Sequence, residues 1–173
     1  LQYLLALASS ARFVYASSSE TYGNPLEHPQ KETYWGNVNP NGVRSCYDEG
    51  KRFGETICGV HTRDFGMNIR IARIFNTYGP RMSLEDGRVT VNFFQQATKG
   101  QPLTIYGDGK QTRSFCYVED QVEGQIAAME KEGTKGEVFN IGNPDERTIN
   151  EFADLIIRLA KSKSKKKYLP LPE

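Results

Sequence analysis

The chain has 173 residues, 38% hydrophobic and 25% charged, and its 22 Lys+Arg against 21 Asp+Glu leave a formal net charge of +1. That length holds a domain with a core, and so balanced a charge provides no global field toward nucleic acid or an acidic surface. Three cysteines and two histidines, none at C-x-x-C or H-x-x-x-H spacing, argue against a disulfide framework and a zinc site, and no apolar run approaches the ~18–20 residues of a membrane span.

Leu1–Ala8 lacks a basic leading region and reads as the last turns of a core helix rather than a signal peptide. Arg12–Ala16 is a short apolar run ending in serines, the pattern of a buried parallel strand. Residues 22–44 form a long polar stretch of the kind that is functional or disordered in compact domains. Tyr22, Tyr34 and Trp35 within it argue for order.

Cys46–Phe65 predicts a helix, with Ser45 and Asp48 as a capping box and Gly66 at the left-handed C-terminal cap. Asn68–Phe75 is a β-branched strand, and Val89–Lys99 a helix stopped by Gly100 and Pro102. Pro102–Tyr106 and Ser114–Tyr117 read as short strands around a Gly107-Asp108-Gly109 turn. Asp120 with Glu123 opens another helix, whose apolar face is Val122, Ile126 and Met129. Glu137–Ile141 is a strand. Thr148 with Glu151 forms a capping box before a helix carrying Phe152, Leu155, Ile156 and Leu159. Lys161, Lys163, Lys165, Lys166 and Lys167 read as a solvated helix end or loop, with a phosphate-binding tail as the alternative. Strand and helix alternate early, which predicts a parallel α/β sheet; the later elements are shorter and mixed.

The chemistry begins at Tyr47-Asp48-Glu49-Gly50-Lys51. A helix brings residues four apart onto one face. A tyrosine ordinarily ionises near pH ~10, and a neighbouring ammonium favours the phenolate, which is what lets such a pair act in acid/base chemistry. Any Tyr and Lys four apart would match, so the spacing alone carries little. Ser17-Ser18-Ser19-Glu20 follows a strand, at the carboxyl end where ligands bind in open α/β sheets, though serines also favour plain turns. Asn76-Thr77-Tyr78-Gly79-Pro80-Arg81 follows the second strand, where an amide and a guanidinium suit a sugar or phosphate and a Gly-Pro turn is the simpler reading. Arg88, Arg113 and Asp120 add charge after later elements; each alone reads as a surface residue.

Together these segments resemble the extended short-chain dehydrogenase/reductase family of nucleotide-sugar enzymes, and within it the UDP-glucuronate decarboxylases. The resemblance rests on Ser17-Ser18-Ser19-Glu20-Thr21-Tyr22-Gly23, Tyr34-Trp35-Gly36-Asn37 and Arg44-Ser45-Cys46-Tyr47-Asp48-Glu49-Gly50-Lys51. It continues through Ala72-Arg73-Ile74-Phe75-Asn76-Thr77-Tyr78-Gly79-Pro80-Arg81, Asp86-Gly87-Arg88-Val89 and Gln111-Thr112-Arg113-Ser114-Phe115. It implies an α/β fold: part of an NAD-binding, Rossmann-type doubly wound sheet plus part of a smaller mixed α/β substrate domain. Residues 1–80 would be the later portion of the Rossmann domain with the catalytic helix. Residues 81–173 would be mainly the substrate lobe, with about 112–132 returning to the first domain.

By the same resemblance the substrate is UDP-glucuronate and the cofactor NAD. Hydride leaves C4 as Tyr47 takes the hydroxyl proton, the 4-keto sugar loses CO2, and returned hydride gives UDP-xylose. Ser18 would hold the reacting oxygen, Lys51 would support Tyr47 and contact the nicotinamide ribose, and Glu20 would act at the carboxylate-bearing end. Phe75 joins Tyr47 and Lys51 as a cofactor contact. Asn76, Arg81, Arg88 and Arg113 would contact the substrate, Arg113 also reaching the reacting sugar. Tyr106 would stack on the uracil or pack in the core. The family usually forms homodimers through the Tyr/Lys helix; no metal, nucleic acid or membrane contact is implied.

Ser19 stands where 4,6-dehydratases of this kind carry an aspartate, which favours a decarboxylase, and Glu20 counts against an epimerase. Those two activities, and an inactive truncated product or interaction module, are the alternatives. Ser18 stands where threonine is frequent, Asn24 where aspartate is and Asn41 where isoleucine is; none removes a catalytic group. The family's glycine-rich G-x-G-x-x-G loop is not found in the 173 residues. A chain starting mid-domain, binding NAD weakly by itself, is the expectation.

Overall fold

The computed structural model describes residues 11–171, so the helix expected at Leu1–Ala8 lies outside the described residues. In chain order the first elements are β1 (Phe13–Ser18), a 3-10 turn (Ser19–Tyr22), α1 (Ser45–Phe65), β2 (Ile69–Ile74), β3 (Thr77–Tyr78) and α2 (Val89–Thr98). Then come β4 (Leu103–Tyr106), β5 (Thr112–Ser114), β6 (Cys116–Tyr117), α3 (Val118–Glu130), β7 (Val138–Ile141), β8 (Glu146–Thr148), α4 (Ile149–Leu159) and β9 (Lys166–Leu169). They form two units: the described chain up to Phe75 with Val118–Gly142, and Asn76–Tyr117 with the chain from Asn143 onward.

The first unit is built on a parallel sheet of order β1-β2-β7. The central strand is buried over Ile69–Ala72, as an apolar run covered on both faces should be. Ile69 and Ile71 pack with Cys58 of α1 and with Met67. Gly66 ends α1 in the left-handed conformation (φ 64, ψ 18), its N–H bonded to the His61 carbonyl. The start of α1 differs from expectation. Its N-cap is Arg44, whose side chain makes no cap bond, and Asp48 is buried instead of closing a capping box with Ser45, itself already helical.

The face of α3 also differs. Val122 and Ile126 are 45% and 44% exposed, while Gln121 and Ala128 are buried. The cause is close approach: a Cβ on Gly124 would lie 2.8 Å from Ile141 Cγ2, so the helix meets β7 at a glycine and its larger apolar residues are displaced outward.

In the second unit α2 and α4 bury Phe93, Leu103, Ile105 and Phe152 in one cluster. Phe115 stacks on Phe152 with ring centroids 4.2 Å apart. The Thr148–Glu151 capping box forms in full. The inward stripe of α4 runs through Ile149, Phe152, Ala153, Ile156 and Ile157, so the expected Phe152 and Ile156 face the core while Leu159 is 68% exposed.

The strands flanking Gly107-Asp108-Gly109 do not pair with each other. β4 pairs in parallel with β9, and β5 antiparallel with β8. Asn150 closes the turn, donating its side-chain amide to the Asp108 carbonyl and its backbone N–H to the Gly109 carbonyl. The lysine run therefore ends in a strand, with Lys166 paired to Asp154 at 2.8 Å. Cys46 is exposed, Cys58 and Cys116 are buried, and all three are free thiols. No described helix is long and apolar enough to cross a membrane.

Candidate active site

Tyr47, Lys51 and Glu55 are successive members of an i, i+4 series along α1, so they share one helix face. Lys51 Nζ donates to the Ala16 carbonyl at 2.8 Å. Its ammonium lies 5.6 Å from the Tyr15 ring centroid and 5.7 Å from that of Tyr47, within cation–π range of both. Tyr47 is 46% exposed, which leaves its ring accessible to a ligand.

Ser17 and Ser18 end β1 and are buried. Ser18 Oγ accepts the Glu20 N–H at 3.2 Å, capping the 3-10 turn, and the Ser18 carbonyl accepts from Thr21 Oγ1 at 2.8 Å. Glu20 is paired with Arg44 at 2.9 Å. Residues 16–20 are thus tied at one end to α1, by Lys51 on Ala16, and at the other to its N-cap, by Arg44 on Glu20. Of the four groups expected from the sequence in this unit, Ser18 and Glu20 lie at the carboxyl end of β1 and in the turn after it, Lys51 is bonded to Ala16 of that strand, and Tyr47 shares the helix face of Lys51.

Beneath them lies a polar network that the sequence reading did not assign. Arg73 donates through Nε and Nη2 to the two Glu55 oxygens at 2.9 and 2.7 Å, and both side chains are 12% exposed. Ser17 Oγ donates to Glu55 Oε1 at 2.5 Å. Arg73 Nη1 reaches Tyr22 Oη at 2.8 Å and the Glu32 carbonyl at 3.0 Å, and the guanidinium lies 4.7 Å from the Tyr22 ring centroid. The Tyr22 hydroxyl donates to Asn140 Oδ1 at 2.7 Å, and the Asn140 N–H to Glu32 Oε1 at 2.9 Å. Burial alone would lower the Arg73 pKa; the hydrogen bonds and charge of Glu55, with Tyr22, outweigh it and raise it.

This network, with Arg52 donating to the carbonyls of Thr21 and Trp35 at 2.9 and 2.7 Å, gives the long loop its order. Tyr34 stacks on Tyr22 at 5.9 Å, and Phe75, the expected cofactor contact, lies 6.4 Å from the same ring. Two signals pointed this way: Glu55 continues the four-residue spacing of Tyr47 and Lys51, and a charged Arg73 inside an apolar strand demands a partner. Burial, then the Glu55 charge, also pushes the nearby Cys58 thiol up to about 11.

The second unit carries a pocket that brings together Asn76, Arg88 and Arg113, three of the expected substrate residues. Thr77, Thr90 and Phe115 also line it. Arg88 is the N-cap of α2, and its guanidinium grips both Asp86 oxygens, through Nε and, at 2.8 Å, through Nη2. That hydrogen bonding holds the Asp86 carboxyl below the usual carboxylate range. Arg113 donates to the Thr112 carbonyl at 2.7 Å. Two guanidinium groups beside a helix N-terminus make a setting for an anion such as a phosphate. Arg81 and Tyr106 do not line this pocket. Arg81 is exposed in a left-handed turn (φ 67), and Tyr106, half exposed, ends β4.

Residues 1–142 match the NAD dependent epimerase/dehydratase family. The chain is 60% identical over 152 residues to UDP-glucuronic acid decarboxylase 1 of Arabidopsis thaliana, covering 88% of this chain and 34% of that protein. It is 51% identical over 166 residues to UDP-glucuronic acid decarboxylase 1 of Danio rerio, covering 96% and 39%. The chain therefore spans well under half the length of these relatives. Among solved structures it resembles a tyrosine-to-phenylalanine mutant of UDP-glucuronic acid 4-epimerase from Bacillus cereus, in complex with UDP-4-deoxy-4-fluoro-glucuronic acid and NAD. The TM-score is 0.85 at 30% identity, over 98% of this chain and 53% of that one. With its parallel sheet and most of its length matched, the chain belongs to the NAD dependent epimerase/dehydratase family.

Proposed function

We propose that the protein carrying this chain converts UDP-glucuronate to UDP-xylose and CO2 through a 4-keto intermediate, with NAD as a recycled cofactor. The carrying observation is the arrangement of Ser18 and Glu20 at the end of β1 with Lys51 bonded to that strand and Tyr47 on the same helix face, and with Ser19 in place of a dehydratase aspartate. The groups present suit the ribose end of a nicotinamide dinucleotide: Tyr47 is half exposed, and Lys51 has ammonium hydrogens left beyond its bond to Ala16. When bound, NAD supplies a reversible hydride acceptor at C4.

The residues divide the remaining work. Tyr47 takes the C4 hydroxyl proton, Ser18 orients that oxygen, and Lys51, 5.7 Å from the Tyr47 ring centroid, places an ammonium beside the exchange. The resulting ketone lies β to the sugar carboxylate. The C5–carboxylate bond then breaks, its electron pair passes into the enolate, and CO2 departs. A proton from water at C5 would quench the enolate, and Tyr47, protonated in the first step, would give its proton back to the C4 oxygen as the bound cofactor reduces the carbonyl. Arg88, Arg113 and Asn76 hold the UDP portion, supported by their shared pocket.

The test is product analysis on the full-length protein given UDP-glucuronate and NAD. Release of CO2 with a UDP-pentose is expected. A C4-epimerised hexuronate formed without CO2 would overturn the reading in favour of an epimerase. A homodimer through α1 is part of the same proposal, supported by Phe53 on that helix being 66% exposed.

A further inference from the structure

Three serines stand in a row at the end of β1, and nothing in Ser17-Ser18-Ser19 itself says which hydroxyl belongs at the site. Successive side chains of a strand point to opposite faces, so a slip of one residue would exchange Ser17 for Ser18. α1 grips this segment at two adjacent points: Lys51 holds the Ala16 carbonyl and Glu55 accepts the Ser17 hydroxyl. Arg73, the second partner of Glu55, is also the register partner of Ser17 on β2. One carboxylate thus bridges two paired strand positions from the helix that carries Tyr47 and Lys51.

We propose that Glu55 and Arg73 are positioning residues that lock Ser17 inward, and so fix Ser18 in register with Tyr47 and Lys51. The inference rests on the reading of Ser18, Tyr47 and Lys51 as the proton-transfer set. Burial of a carboxylate is costly without full pairing. Here Oε1 takes bonds from Ser17 Oγ and Arg73 Nε, and Oε2 one from Arg73 Nη2. The ion pair with Arg73 would hold Glu55 without Ser17. The added bond to Ser17 transmits its position to the strand end, where Ser18 caps the turn that bears Glu20.

Ser17→Ala in the full-length protein tests this with the least disturbance, because the ion pair remains. Turnover of UDP-glucuronate should fall at least ~10-fold in kcat, the scale expected of a small misplacement of a reacting group. KM and the fraction folded should stay near the parent values, and Ser17→Thr, which keeps the hydroxyl, should recover most of the loss. Tyr47→Phe runs alongside. If Tyr47→Phe is inactive but Ser17→Ala keeps kcat within about two-fold of the parent, the proposal is wrong. It is equally wrong if kcat falls only in proportion to the folded fraction. Activity retained by Tyr47→Phe would defeat the functional reading itself, and the proposal with it.

Discussion

Gly54 of α1 lies directly over the Tyr15 hydroxyl: a Cβ at position 54 would come within 2.0 Å of Tyr15 Oη and 2.4 Å of its Cζ. The contact lets β1 and α1 approach closely where Lys51 sits 5.6 Å from the same Tyr15 ring. In an open helix Gly→Ala stabilises by roughly 0.5–1 kcal/mol. Here overpacking against a rigid ring costs about 1–3 kcal/mol and decides the sign. Gly54→Ala should therefore lower stability in urea unfolding, and adding Tyr15→Ala should reverse the effect of the alanine. An unchanged midpoint for Gly54→Ala would refute the close packing.

Tyr47→Phe removes one oxygen from a half-exposed ring and should leave the fold intact. In the full-length protein kcat should drop by ~10²–10⁴-fold, the usual worth of a positioned acid/base group. NAD binding, read by calorimetry, should stay largely unchanged. Substantial residual turnover would assign the proton transfer elsewhere.

The Glu55–Arg73 pair is largely shielded from water, each side chain 12% exposed. Glu55→Ala leaves a buried guanidinium without its carboxylate, a change that costs about 3–5 kcal/mol. The double variant Glu55→Leu/Arg73→Met should recover much of that loss, since apolar replacement of a buried pair is often near neutral. Denaturant unfolding of the single and double variants measures both. A Glu55→Ala protein as stable as the parent would contradict the pairing.

Cys58, fully buried against β2, has its thiol pushed up from 9.0 to about 11, by burial and then by the Glu55 charge. Its folded pKa lies above the unfolded one, so its contribution is fully present below pH 9 and is lost as pH rises toward 11. Stability should decline over that window by up to ~1.4 kcal/mol per pH unit from this group, and Cys58→Ala should flatten the slope. In the native protein at neutral pH a thiol reagent should modify the exposed Cys46 quickly and spare Cys58 and Cys116. Rapid modification of all three would show that the core opens readily.

Patterns local to the chain were legible. The apolar run of β2, the Gly66 cap and the Thr148–Glu151 capping box need only neighbouring residues, and each appears at its expected place. The Tyr47–Lys51 spacing likewise needs only the pitch of a helix. Non-local partners were not legible. The sequence showed two short strands around the Gly107-Asp108-Gly109 turn but not their partners, which lie far along the chain in β9 and β8. Val122 and Ile126 suggested the buried face of α3, but Gly124 admits Ile141 so closely that Gln121 and Ala128 are buried in their place.

The same division runs through the site. Helical spacing by itself singled out Tyr47 with Lys51 as a candidate proton-transfer pair, and only the resemblance to nucleotide-sugar enzymes added Ser18 and Glu20 to it. Only the tertiary structure decided that Glu55 accepts from Ser17, that Arg73 completes the pair and that Tyr22 and Asn140 carry it into the long loop. The physical reason is desolvation. A buried charge must find partners wherever the chain can bring them, and those partners come from strands and loops 18 to 118 residues apart, beyond the reach of any local pattern.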